Sequence, residues 1–96
     1  MKFIMINHRT ASTENWDAYF KMLRDGGHMI GGSALDHGIS LKYGLFAQAQ
    51  SSTITGYIVI QAENLEAAKN IASQSPIHKA GGTVELFTLV ETGPPR

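Results

Sequence analysis

Thr53-Ile54-Thr55-Gly56-Tyr57-Ile58-Val59-Ile60-Gln61, then Leu65–Gln74, then Ser75-Pro76 and Gly81-Gly82, then Thr83–Val90: this last third of the chain decides the fold. Thr53–Gln61 is rich in β-branched residues and alternates, with Ile54, Ile58 and Ile60 on one face and Tyr57 and Val59 on the other. That is the period of a strand. Asn64 can cap a helix, along which Leu65, Ala68, Ile71 and Ala72 form a narrow apolar stripe. Pro76 is expected to stop that helix, and Gly81-Gly82 to turn the chain into a final strand. In that strand Val84 and Leu86 share one face, and Phe87 and Leu89 the other.

The first half repeats the pattern. Phe3–Ile6 is a short apolar run that ends at Asn7-His8-Arg9 and reads as a buried strand. Ser12 or Thr13 can cap the helix that follows, with Glu14 near the positive end of its dipole. Trp16, Tyr19, Phe20 and Leu23 fall at i, i+3, i+4 and i+7, on one helical face, and read as core. Gly26-Gly27 ends the helix through a left-handed cap. His28–Leu35 is a second strand whose paired glycines predict a bulge or a close backbone approach. Asp36-His37-Gly38 reads as a turn, Ile39–Tyr43 as an extension or partner of that strand, and Gly44–Ser52 as a loop.

The order β-α-β-β-α-β predicts an α+β fold of the ferredoxin-like kind: a four-stranded antiparallel sheet with two helices on one face. Residues 1–92 make one domain, and 93–96 a short tail. Two helices cover one face of such a sheet, yet the third and fourth strands are apolar on both. The uncovered face therefore predicts a homodimer that packs sheet against sheet; a single curled sheet under a long loop is the other solution.

With 96 residues, eight basic and eight acidic, the chain carries no net charge and no basic stripe, which argues against a nucleic-acid partner. The absence of cysteine excludes a disulfide scaffold, a thiolate nucleophile and a cysteine–zinc site. The N-terminal apolar run is too short to span a membrane, and a soluble, cytoplasmic protein is expected.

The Gly31–Leu35 strand, Thr55-Gly56-Tyr57-Ile58-Val59-Ile60, Asn64-Leu65-Glu66-Ala67-Ala68 and above all Ser75-Pro76-Ile77-His78-Lys79-Ala80-Gly81-Gly82-Thr83-Val84-Glu85-Leu86 resemble the YCII-related family. The resemblance covers most of the chain. It implies a dimeric α+β barrel of ferredoxin-like protomers. Some members are thought to be enzymes with a His–Asp pair, and one related protein is a dehydrochlorinase acting on a hydroxylated aromatic ring. Two family features are absent. Tyr43-Gly44-Leu45-Phe46 stands roughly where one branch has Asp-Gly-Pro-Phe, and Asn15 or Trp16 where another has a helix-one histidine. No catalytic residue is carried over.

Candidate chemistry is read from topology instead. Strand one ends, strand two ends and strand four begins at one edge of the sheet, which gathers His8, Arg9, Asp36, His37 and His78 there; His28 lies at the opposite edge. Histidine can act as acid or base near neutral pH, so His78 and His37 are candidate catalytic groups, with Asp36 orienting an imidazole. His8 and Arg9 are candidate substrate-binding groups, Arg9 holding a carboxylate or phenolate. The plainer alternative is a set of solvated loop residues. A metal site from His8, His37 and His78 lacks the short paired-ligand motif, and none is expected. Two functions follow: a cofactor-independent acid/base enzyme, lyase- or isomerase-like, on a small phenolic or acidic substrate; or a non-catalytic ligand-binding or structural homodimer.

Overall fold

Strand β1 (Lys2–His8) is the spine of the molecule. A computed structural model describes residues 1–10, 15–48 and 53–90. Around β1 the chain lays down α1 (Trp16–Asp25), β2 (Met29–Ala34), a hairpin of β3 (Ile39–Lys42) and β4 (Leu45–Gln48), β5 (Ile54–Gln61), α2 (Leu65–Ala72), the single-turn α3 (Pro76–Lys79) and β6 (Val84–Thr88). The main sheet runs β2-β5-β1-β6, every pair antiparallel. This is the expected α+β sandwich, a four-stranded antiparallel sheet with its helices on one face.

Period-two alternation sorts the sheet's side chains. Phe3 and Met5 of β1, Ile58 and Ile60 of β5, and Val84 and Leu86 of β6 face the helices, and Phe3, Met5 and Ile60 are wholly buried. Tyr19 and Leu23 of α1 and Ala68, Ile71 and Ala72 of α2 close that core. Tyr19 also ties the two helices together: its buried hydroxyl donates to the Ile71 carbonyl at 2.8 Å. Burial pushes its phenol pKa well above the usual tyrosine value. On the other face Ile4, Ile6, Tyr57 and Val59 are half-buried, and Phe87 is 53 % exposed.

Several sequence expectations change. Asn64 does cap α2, accepting from the Ala67 N–H at 2.8 Å, but Leu65 at its start is largely exposed. Pro76 does not stop α2, which already ends at Ala72. It opens α3 instead, where its missing N–H costs nothing and the buried Ser75 is the cap, accepting from the His78 N–H at 3.2 Å. Gly26-Gly27 does end α1 through a left-handed residue, Gly27 (φ 73°), with the Gly27 N–H donating to the Arg24 carbonyl and the His28 N–H to that of Leu23. The expected caps Ser12 and Thr13 lie outside the described residues; Asn15 occupies the cap position without a side-chain bond. Ile39–Lys42 does not extend β2: it pairs with Leu45–Gln48 across a Tyr43-Gly44 turn, inside the segment expected to be a loop. The Ala and Gln content of that strand hides its extended conformation from propensity. Among the described residues, no helix is long and apolar enough to cross a membrane.

Two measurements test this packing. Leu23→Ala empties a fully buried site and is expected to cost about 2–5 kcal/mol in denaturant titration, whereas alanine at exposed Arg24 stays within about 0.5 kcal/mol. Tyr19 ionises far less readily folded than unfolded, so its contribution to stability is intact below the ordinary tyrosine pKa of about 10 and is lost as the pH climbs above it. Tyr19→Phe is therefore expected to flatten the alkaline fall in melting temperature.

Candidate functional site

The regular ladder of the sheet breaks at one point. β1 and β5 pair residue for residue from Lys2↔Gln61 to Asn7↔Gly56, and then His8 pairs with Ile54, leaving Thr55 as an extra residue in β5. Such a bulge bends its strand and ends regular pairing. Backbone bonds pin the chain around it: Leu35 N–H to Thr55 O at 2.9 Å, Arg9 N–H to Thr53 O at 2.6 Å, and His8 N–H to Thr83 O at 3.1 Å. The ends of β1 and β2 and the starts of β5 and β6 are thereby held at one edge, as the topology predicts.

Beneath the first turns of α1, at that edge, lies a cleft of about 480 Å³. Trp16 and Phe20 form one wall, their rings stacked at 5.5 Å and 28°. Opposite them the sheet offers little side chain, because Gly32, Ala34 and Gly56 lie there. Gly32 is held to glycine by its neighbour, since a Cβ there would stand 2.5 Å from the Tyr57 carbonyl oxygen. Met29, Ile58 and Ile77 make the apolar back. One polar side chain is buried among them: Asn7, 5 % exposed, whose Oδ1 has no hydrogen-bond partner among the described residues. The volume and mostly apolar lining suit a small organic molecule.

At the rim, both nitrogens of the His8 ring are engaged. Nδ1 lies 2.8 Å from Thr53 Oγ1, and Nε2 lies 2.5 Å from Glu85 Oε1. A carboxylate only accepts, so Nε2–H donates to Glu85, while Nδ1 meets a hydroxyl that donates to a neutral ring or accepts from a protonated one. Glu85 stands opposite Ile6, on the face away from the helices.

Of the five residues that topology gathers at this edge, His8 and Arg9 line the cleft. Asp36 and His37 do not; they pair with each other at 3.6 Å, with side chains 93 % and 99 % exposed. His78 also stands outside the lining, exposed on α3, with Nδ1 2.9 Å from the Ser73 carbonyl, while its neighbour Ile77 turns inward. His28 lies at the other end of the sheet, 3.0 Å from the Gln61 carbonyl. Among the described residues no cluster of three or more His, Asp or Glu side chains has metal-ligand geometry.

Sequence reading missed Asn7, and the signal was present: Phe3, Met5 and Asn7 share a parity, so a polar residue continues the core-facing row of an apolar strand. Trp16 and Phe20 were expected in the core; they pack at its margin because the strand residues beneath them are glycines.

No protein-family model and no curated protein sequence matches the chain. Among solved structures, the fold is similar to that of 5-chloro-2-hydroxyhydroquinone dehydrochlorinase from Burkholderia phenoliruptrix AC1100, in a complex with 2,5-dihydroxybenzoquinone. The TM-score is 0.59 over 96 % of each chain, at 16 % identity, so the likeness is one of fold.

Trp16, the chain's single tryptophan, makes the cleft observable. A ring-shaped molecule entering beside it is expected to shift or quench indole emission saturably, and Phe20→Ala to weaken that response. A response that only rises linearly with concentration contradicts occupation of the cleft.

Proposed function

We propose that the chain is a cofactor-independent acid/base enzyme whose small-molecule substrate occupies the cleft between α1 and the sheet. The observation that carries this reading is the Glu85–His8–Thr53 chain at the sheet edge: His8 lines the cleft, and its ring is held by Thr53 and by Glu85 of the open face. A carboxylate that orients an imidazole, whose second nitrogen meets a hydroxyl, is the arrangement of an oriented base. A substrate group that projects from the cleft past the sheet edge gives its proton to the neutral form of His8, relayed by the Thr53 hydroxyl that meets Nδ1. The electron pair left behind forms a new C=C or C=O bond, and a leaving group such as chloride departs with its own pair. Arg9 at the rim holds the developing anion. Elimination or isomerisation of a hydroxylated ring is the class of reaction this suits. The shared fold with a dehydrochlorinase and the resemblance to the YCII-related family support it.

Within one copy, His8 takes the role expected of His78. Asp36, His37 and His78 enter this mechanism only from a second copy. Homodimerisation through the open sheet face is part of the proposal, supported by Ile4, Ile6, Tyr57, Val59 and Phe87 on one uncovered surface and by exposed Ile39, Leu41 and Tyr43 on the hairpin. We place the single domain, residues 1–92, in the cytoplasm.

One observation favours a second reading. Both His8 nitrogens already have partners, which fits a non-catalytic ligand-binding homodimer as well.

The test is chloride release from a panel of chlorinated hydroxyarenes. His8→Gln is expected to lower turnover by about 10²–10⁴-fold, the range of general acid–base catalysis, with little change in KM; His28→Gln leaves it unchanged. Binding without turnover across the panel favours the second reading, and turnover that survives in His8→Gln removes His8 from the mechanism. For the dimer, Val59→Glu is expected to halve the mass seen by light scattering at micromolar concentration. A wild-type protein that is already monomeric there contradicts the sheet interface.

A further inference from the structure

Resting on the cleft as the ligand site, we propose that Asn7 sets the chemistry of what binds there: a flat, neutral, unsaturated ring carrying a hydroxyl or amine that hydrogen-bonds the Asn7 side-chain amide. Buried polar atoms are nearly always paired, and an unpaired one costs stability. Asn7 Oδ1 is hidden from water and has no partner among the described residues, on a side chain that is 5 % exposed. The row it continues, Phe3 and Met5, is fully buried apolar core. A leucine there would satisfy packing, so folding alone gives no reason for an amide.

The surroundings define the partner. Asn7 lines the cleft with Trp16, Phe20, Ile58 and Ile77, none of which supplies a charge. The same amide carries the Nδ2 donors, and rotation about its soft last side-chain bond decides which end meets a ligand. An amide both donates and accepts, so the inner end of the ligand is a neutral group able to do either, a hydroxyl or an amine. A carboxylate there would be desolvated against apolar walls with no cation beside it. The one cationic side chain among the cleft's lining residues, Arg9, stands at the rim. Bare backbone at Gly32 and Gly56 lines the sheet side of the cleft, and the stacked Trp16 and Phe20 rings line the other; two flat walls suit a planar ring. The ligand thus lies with its neutral hydroxyl or amine inward at Asn7 and any anionic or reacting group outward, toward Arg9 and His8.

The experiment compares phenol with toluene, which share a shape and differ by the donor, in titrations followed by Trp16 emission and by calorimetry. An apolar slot without an acceptor prefers toluene, because phenol must give up its hydrogen bonds to water. The wild-type protein is expected to bind phenol about tenfold more tightly than toluene, the difference one hydrogen bond makes. Asn7→Leu is expected to reverse that order and to melt at the same temperature as the wild type or higher, since it removes an orphaned polar atom. Asn7→Ala, which keeps neither amide nor bulk, is expected to lose the phenol preference while still admitting toluene. Toluene bound at least as tightly as phenol by the wild type, with the order unchanged in both variants, overturns the proposal while leaving the cleft as a binding site. A marked fall in melting temperature for Asn7→Leu also overturns it, because the amide then has a structural partner. Saturation by neither probe overturns the cleft reading itself.

Discussion

One misfit in the hydrogen-bond ladder of the sheet organises the rest of the molecule. β1 lies between β5 and β6, and its pairing with β5 is regular until Thr55 is left over opposite the Asn7–His8 step. Up to that step the sheet is an ordinary two-faced layer with a packed core. At the step the layer ends in an edge where four strand termini are tied by short backbone bonds rather than by ladder. Adjacent residues on a strand point to opposite faces, so this one place sends Asn7 toward the helices and His8 toward Glu85. An anchoring amide and an oriented imidazole thus come from consecutive residues, held by the best-buried strand.

The glycines explain why there is space beside them. Core packing leaves few voids as large as a drug-sized ligand, and α1 lies close against the sheet where Leu23 and Tyr19 meet Phe3 and Met5. Toward the start of α1 the strand positions underneath are Gly32 and Gly56, and the helix offers two large rings over a sheet with nothing to fill the gap. A single helix serves both: Tyr19 and Leu23 close the core, and Trp16 and Phe20 roof the cleft.

Most of the architecture was legible in the sequence because it rests on strong local periodicity. Alternation in Ile54–Gln61 and the i, i+3, i+4, i+7 spacing from Trp16 to Leu23 leave little choice of element or face, and Asn64 marks its helix start by capping chemistry. The β4 strand was not legible, because Ala47 and Gln48 carry no strand preference and its pairing depends on the turn before it. Pro76 was legible as a break but not as a start, which depends on Ser75 being buried as a cap. The site was legible only as a place. Topology delivers His8 and Arg9 to the cleft, but which way a side chain turns at a strand end depends on bulges and single helical turns. So Asp36 and His37 remain in solvent, and His78 faces outward while Ile77 faces in.

If the proposed function is right, the cleft under α1, and no other surface, is where the protein meets its small-molecule ligand. The direct measurement is a two-dimensional amide correlation spectrum of the labelled protein titrated with a mixture of small hydroxylated arenes. Saturable shifts are expected at the Asn7, Gly32 and Gly56 amides and the Trp16 indole, with Gly27, Gln61 and Glu63 at the far end of the sheet unmoved. Shifts confined to the open sheet face or the β3–β4 hairpin, with those amides and the Trp16 indole unchanged, contradict it.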